Sequence, residues 1–157
     1  MNAPAARCLD ITRLVSRLGR GAATGVDRVE LAYLRVLVAD PVPLFLLTRT
    51  ALGFVLVGPD GASRALAAFQ RDRLWGRADL IGRLTRKAHP LKRRAESDLR
   101  RWAAARCRRG ALARMLAARL PAGTEYFSVG HSNLSEEALT AWPVSYTHLT
   151  LPTIYSV

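Results

Sequence analysis

The chain reads as an α/β domain around a mainly parallel sheet. Three observations predict that class. Short β-branched and apolar runs alternate with segments of helical period, the first strand runs into a glycine-bearing loop and a capped helix, and no internal repeat breaks the alternation. At 157 residues, half of them apolar, the chain has room for one domain with a real core.

The elements follow in order. "RCLDITRLV", residues 7–15, reads as the first strand, and the loop Arg17 to Gly25 follows it. A helix comes next, with its apolar stripe at Val26, Val29, Tyr33, Val36 and Leu37. Thr24-x-x-Asp27 fits a capping box, and Asp27 and Glu30 suit the positive end of the helix dipole. "DPVP" ends that helix. "LFLLTRT" and "GFVLVGPDG" read as two strands, the second closed by a Pro-Asp-Gly turn. From Ala62 to Leu120 the pattern is helical throughout, with breaks at "WGRAD", "AHPLK" and "RRGAL". "TEYFSVG", residues 124–130, returns to strand, and "HSNLSEEALTA" begins a helix capped by Asn133 with Glu136.

Charge is concentrated in one place. Residues 62–119 hold 17 basic and 4 acidic side chains, whereas residues 1–61 hold 7 and 5, and residues 120–157 hold 0 and 3. Such a field suits phospholipid headgroups, phosphorylated substrates or nucleic acid, but an Arg- and Ala-rich chain is also what GC-rich coding produces. Around Leu91, Leu99, Trp75 and Trp102 two readings stand: an apolar face toward a membrane, or core packing. A nucleic-acid module is the competing function class. Sparse aromatics in the basic block and the lack of a recognised motif weigh against it.

No apolar run nears the roughly 18–20 residues needed to span a bilayer. The N-terminus has no signal-peptide core, so a cytoplasmic location is expected. Cys8 and Cys107 are far apart and belong to no Cys/His group, so free thiols are expected and a metal site is not.

The loop "GRGAATGVDR" is neither G-x-G-x-x-G nor a P-loop. A glycine at a helix mouth serves either a turn or the approach of a phosphate, and both readings stand for Gly25. Asp27 is a helix-start charge or a substrate contact. Arg13 is an anion contact or a surface arginine.

"LDITRLV…TGVDRVELAYLRVL", with "VGHSNL" about a hundred residues later, resembles the N-terminal domain of a group 1 glycosyltransferase. The similarity is to bacterial members with a D-x-[ST]-R strand and a TG-[IV]-DRVE helix start. It spans residues 8–141, with specific motifs over about thirty of them. The resemblance implies the GT-B fold, in which two Rossmann-like domains enclose the active site. The N-terminal domain shapes the acceptor side, and the C-terminal domain binds the nucleotide through a pocket with paired glutamates. It further implies retaining transfer from a nucleotide-sugar, with no other cofactor, to a glycan or lipid-linked acceptor.

On this reading Thr24 and Gly25 lie in the loop that approaches the donor phosphates, and Arg13, Asp27, Arg28, His131 and Asn133 contact substrates. The basic segment 71–119 would be an arginine-rich helical insertion facing an anionic membrane, which would put the enzyme at the inner face as a peripheral protein. Residues 1–142 would form the partial acceptor-side domain, inactive by itself.

The last stretch differs in kind. From Trp142 to Val157 there is no Ala, Arg, Lys, Asp or Glu. "VSYTHLTLPT" resembles a translated transposon-end sequencing adapter, in frame over all ten codons. Residues 143–157 are therefore read as a non-native tail and set aside from functional reasoning.

Overall fold

The computed structural model describes residues 3–129. His131, Asn133, the expected helix after them and the 143–157 tail lie outside the described residues. The elements are β1 (Ala6–Asp10), α1 (Thr12–Arg17), α2 (Gly25–Ala39), β2 (Leu44–Thr50), β3 (Gly53–Val57), α3 (Pro59–Gln70), α4 (Leu80–Leu84), α5 (Pro90–Arg101), β4 (Ala103–Cys107), α6 (Leu112–Arg119) and β5 (Thr124–Phe127). Short 3-10 turns occupy Asp72–Leu74 and Arg109–Ala111.

The class is α/β, compatible with a Rossmann-like fold, but the sheet is mixed. Its order is β4-β3-β2-β1-β5. β1 pairs in parallel with β2 and β5, whereas β3 runs antiparallel to both β2 and β4. A two-residue connection, Ala51–Leu52, joins β2 to β3 and so forces a hairpin. Gly53 closes it with φ of 132°, and a Cβ there would stand 2.2 Å from the Cys107 carbonyl of β4. No other residue fits that place.

Strand alternation sends side chains to two cores. Leu9, Leu46, Val55 and Val57 meet α1, α2, α3 and α5 on one face, burying Leu14, Leu34, Ala65 and Leu99. Cys8, Leu47, Phe54 and Leu56 meet α6 on the other, with Leu112, Met115 and Leu116. Both cysteines are free thiols, and burial pushes the Cys8 thiol well above its usual range.

Four expectations are corrected. The first strand stops at Asp10, because the Asp10 carboxylate accepts the Thr12 N–H at 2.9 Å and opens a helix over Thr12–Arg17. The inward stripe of α2 is Asp27, Glu30, Leu34 and Leu37. Val26 and Val36 are exposed, since arginines on α1 draw the acids inward and rotate the helix. Pro-Asp-Gly does not close β3; Pro59 takes the first helical position of α3, where its missing N–H loses nothing.

The fourth correction concerns the basic block. It is not a helical insertion, since residues 103–107 form β4 and α5 packs on the sheet. Trp75 and Leu99 are buried in that core, and Trp102 and Leu91 pack against it half-buried. These four residues therefore supply no apolar face for a membrane. No helix among the described residues is long and apolar enough to cross one.

Candidate functional site

The strand order reverses between β1 and β5. The chain leaves β1 through α1 and α2 toward β2 on one side of it, and reaches β5 on its other side through α6, on the opposite face of the sheet. A crevice opens at the carboxyl ends of strands where the order reverses in this way, and it is where open α/β sheets hold ligands. Asp10 ends β1 there, nearly fully buried. Besides the Thr12 N–H, its carboxylate accepts the Tyr126 hydroxyl of β5 at 2.9 Å, tying the two strands together at the reversal.

The glycine loop lies at the same end. α1 runs out at Arg17, and the chain turns through Gly19 and Gly21, both at positive φ, into α2. Gly19 sits against the His89 ring, which a Cβ would strike at 2.1 Å. His89 in turn caps α5 by accepting the Leu91 N–H.

The capping box expected at Thr24 is present. The Thr24 N–H donates to Asp27 Oδ2 at 2.8 Å, and the Asp27 N–H donates to Thr24 Oγ1 at 3.4 Å. Asp27 also pairs with Arg13 at 3.3 Å and Arg17 at 3.4 Å, one turn apart on α1. Burial opposes its charge, but the Thr24 bonds and the two guanidiniums outweigh that and hold its carboxyl below the usual range. Asp27 therefore fastens α1 to the mouth of α2.

A hollow of about 210 Å³ opens beside this loop, with Arg17, Arg28, Asp27, Asp72 and Phe69 in its wall. Arg28 has no carboxylate partner among the described residues and is exposed on α2. Thr24, Gly25 and Arg13 are not part of the wall. Gly25 has no positive φ and nothing within 4 Å of a would-be Cβ, so neither conformation nor packing requires glycine there.

Two acidic residues were not singled out from the sequence as site residues, Asp10 and Glu30. Glu30 is fully buried on α2, one turn beyond Asp27. Burial, then the Asp10 and Asp27 charges, push its carboxyl up to about 8, against a partial offset from Arg13 and the Leu14 backbone. The signal available was spacing: Asp27 and Glu30 share one face of α2, as Arg13 and Arg17 share one face of α1. Among the described residues no group of three His, Cys, Asp or Glu side chains is placed to hold a metal.

No family model, curated protein or solved structure matches this chain.

Proposed function

We propose that this domain is the acceptor side of a glycosyltransferase that moves a sugar from a nucleotide-sugar to a hydroxyl of a glycan or lipid-linked acceptor. The observation that carries the reading is the hollow beside the glycine loop, between α1, α2 and the end of α3. Its wall brings Arg17, Arg28, Asp27, Asp72 and Phe69 together, groups suited to donate to and accept from sugar hydroxyls beside an aromatic ring. Asp27 and Arg28 of the TG-[IV]-DRVE helix start lie in this wall, and Arg13 of the D-x-[ST]-R segment pairs with Asp27 behind it.

The open space over Gly25, at the N-terminal end of a 15-residue helix, suits the donor diphosphate, since free N–H groups and the helix dipole favour anions there. The work of this half is to orient the acceptor hydroxyl and to present fixed positive charge toward the leaving diphosphate. The nucleotide pocket and the paired glutamates of such enzymes belong to a second domain.

The nucleic-acid reading loses ground, because the basic segment does not stand apart as helices that could track a backbone. Its α5 and β4 are parts of the core and sheet.

The test uses the enzyme with both domains present. Arg28→Ala should raise the acceptor KM about tenfold, the worth of one charged hydrogen bond, with donor hydrolysis unchanged. Gly25→Ala should leave thermal stability equal or higher and slow both transfer and donor hydrolysis. Unchanged kinetics in both variants would remove this site from the reaction.

A further inference from the structure

A second, larger hollow adjoins the one at the glycine loop, with Phe69 of one wall meeting Trp75 of the other, ring centroids 5.1 Å apart. It holds about 470 Å³ between the Trp75–Ala78 segment, α4 and the start of α5, and is lined by Trp75, Arg77, Ala78, Arg83, Pro90 and Arg93. Arg94 also reaches it, but is engaged: its Nε donates to the Gly76 carbonyl at 2.7 Å and its Nη2 to the Trp75 carbonyl. That bond pair fixes the segment against α5.

The other arginines are not matched in this way. Further along α5, acids hold three cations: Arg100 pairs with Asp79 and Glu96, Arg101 with Asp98, and Lys92 with Glu96. Among the described residues no carboxylate pairs with Arg77, Arg83 or Arg93, and no acidic residue lines the hollow. Two of the wall residues carry a buried donor that lacks an acceptor, Arg93 at Nε and Trp75, only 1% exposed, at its indole N–H. Buried donors without partners are uncommon in native proteins, and a bound ligand is one way they are satisfied.

The helix start adds a second, independent reason. α5 begins at Pro90 with no acid in its first turn, and Lys92, Arg93 and Arg94 stand there instead. Cations at the positive end of a helix dipole are unfavourable, and an anion seated between them offsets both charges.

We infer that this hollow is an anion site for a phosphate group, held by Arg77, Arg83 and Arg93 over Trp75. It is independent of the transferase reading. Two sources carry that chemistry: a soluble phosphate compound, or the headgroup of an anionic lipid. Leu80 and Leu84 on α4, beside Arg83, are 75% and 82% exposed, which is how an apolar foothold next to a headgroup would look.

The experiment uses the whole chain. Pyrophosphate is titrated at fixed ionic strength, and the Trp75 indole N–H resonance is followed by NMR. In parallel, vesicles of phosphatidylglycerol are tested for co-sedimentation against neutral vesicles. Saturable binding is expected in the pyrophosphate arm, weakened about tenfold or more in Arg77→Gln/Arg83→Gln, whose exposed side chains leave folding intact. Arg114→Gln, on the opposite face of the sheet, should leave it unchanged.

If vesicles also bind, and Leu80→Ser/Leu84→Ser abolishes that while pyrophosphate still saturates, the phosphate comes from lipid. If pyrophosphate saturates and vesicles do not bind, it comes from a soluble compound. Binding in neither arm, or equal weakening by Arg114→Gln, would overturn the site.

Discussion

Glu30 sits where a carboxylate charge is strongly disfavoured. Neither carboxyl oxygen has a hydrogen-bond partner of good geometry, and the side chain is fully buried. The charges acting on it are Asp10 from β1, Arg13 from α1, and Asp27 one turn before it. The folded carboxyl holds its proton up to about pH 8, whereas the unfolded one releases it near 4.5. Between those values the folded state binds the extra proton, so stability declines as pH rises and levels off above the upper value. The contribution is on the order of a few kcal/mol. Glu30→Gln should remove the decline, and urea melts between pH 5 and 9 will read it. A wild-type stability flat across that window would show that Glu30 is ionised in the folded protein. The capping pair Thr24 and Asp27 was legible from the sequence, because that motif is local. The inward turn of Asp27 and Glu30 was not, because it depends on arginines of another element.

Among the elements, α5 and β4 show where sequence patterns mislead. "RWAAARCRR" is rich in alanine and arginine, both strong helix formers, so propensity favours helix. The structure ends α5 at Trp102 and lays residues 103–107 along β3, alternating half-buried and exposed. Tertiary pairing overrides propensity here, and the small alanines leave no period-two contrast in hydrophobicity to read. Exposed Arg106 on this edge strand also discourages pairing with other chains.

α5 is polar yet buried from Ala95 to Arg100, where its charges are matched. Arg100, 3% exposed, donates from Nε and Nη2 to both oxygens of Asp79, at 2.8 and 2.7 Å. That bidentate pair holds the Asp79 carboxyl well below the usual range, although partial burial opposes it. Asp79 also caps α4 through the Gly82 N–H. Arg100→Ala leaves Asp79 and the buried Glu96 without their shared partner, and should destabilise by about 3 kcal/mol or more. Arg83→Ala, at an exposed position, should change stability by less than about 0.5 kcal/mol. Denaturant melts of the two variants separate these expectations, and equal values would mean that the buried network contributes nothing.

At the scale of the whole molecule, the α/β class and most strand positions were readable, since apolar runs of strand length are bounded by turn residues. Strand order and direction were not. The antiparallel placement of β3 follows from a two-residue connection and a glycine pressed against β4, contacts that no local pattern encodes. The same holds for the site. The glycine loop was visible, but the reversal between β1 and β5 that brings Asp10, Tyr126 and the loop to one end exists only in the assembled sheet. Part of the arginine excess likewise turned out to be engaged within the fold, through Arg94, Arg100 and Arg101, and three more, Arg77, Arg83 and Arg93, line one hollow.

The transferase reading requires a second domain beyond this one, so the most direct measurement is the sequence of the natural gene beyond the codon for Ala141. The predicted result is an open frame that lacks "VSYTHLTLPT" and runs through a His-Asp strand end into a second Rossmann-like domain with paired glutamates. A natural gene that keeps residues 143–157 and stops after Val157 would contradict it.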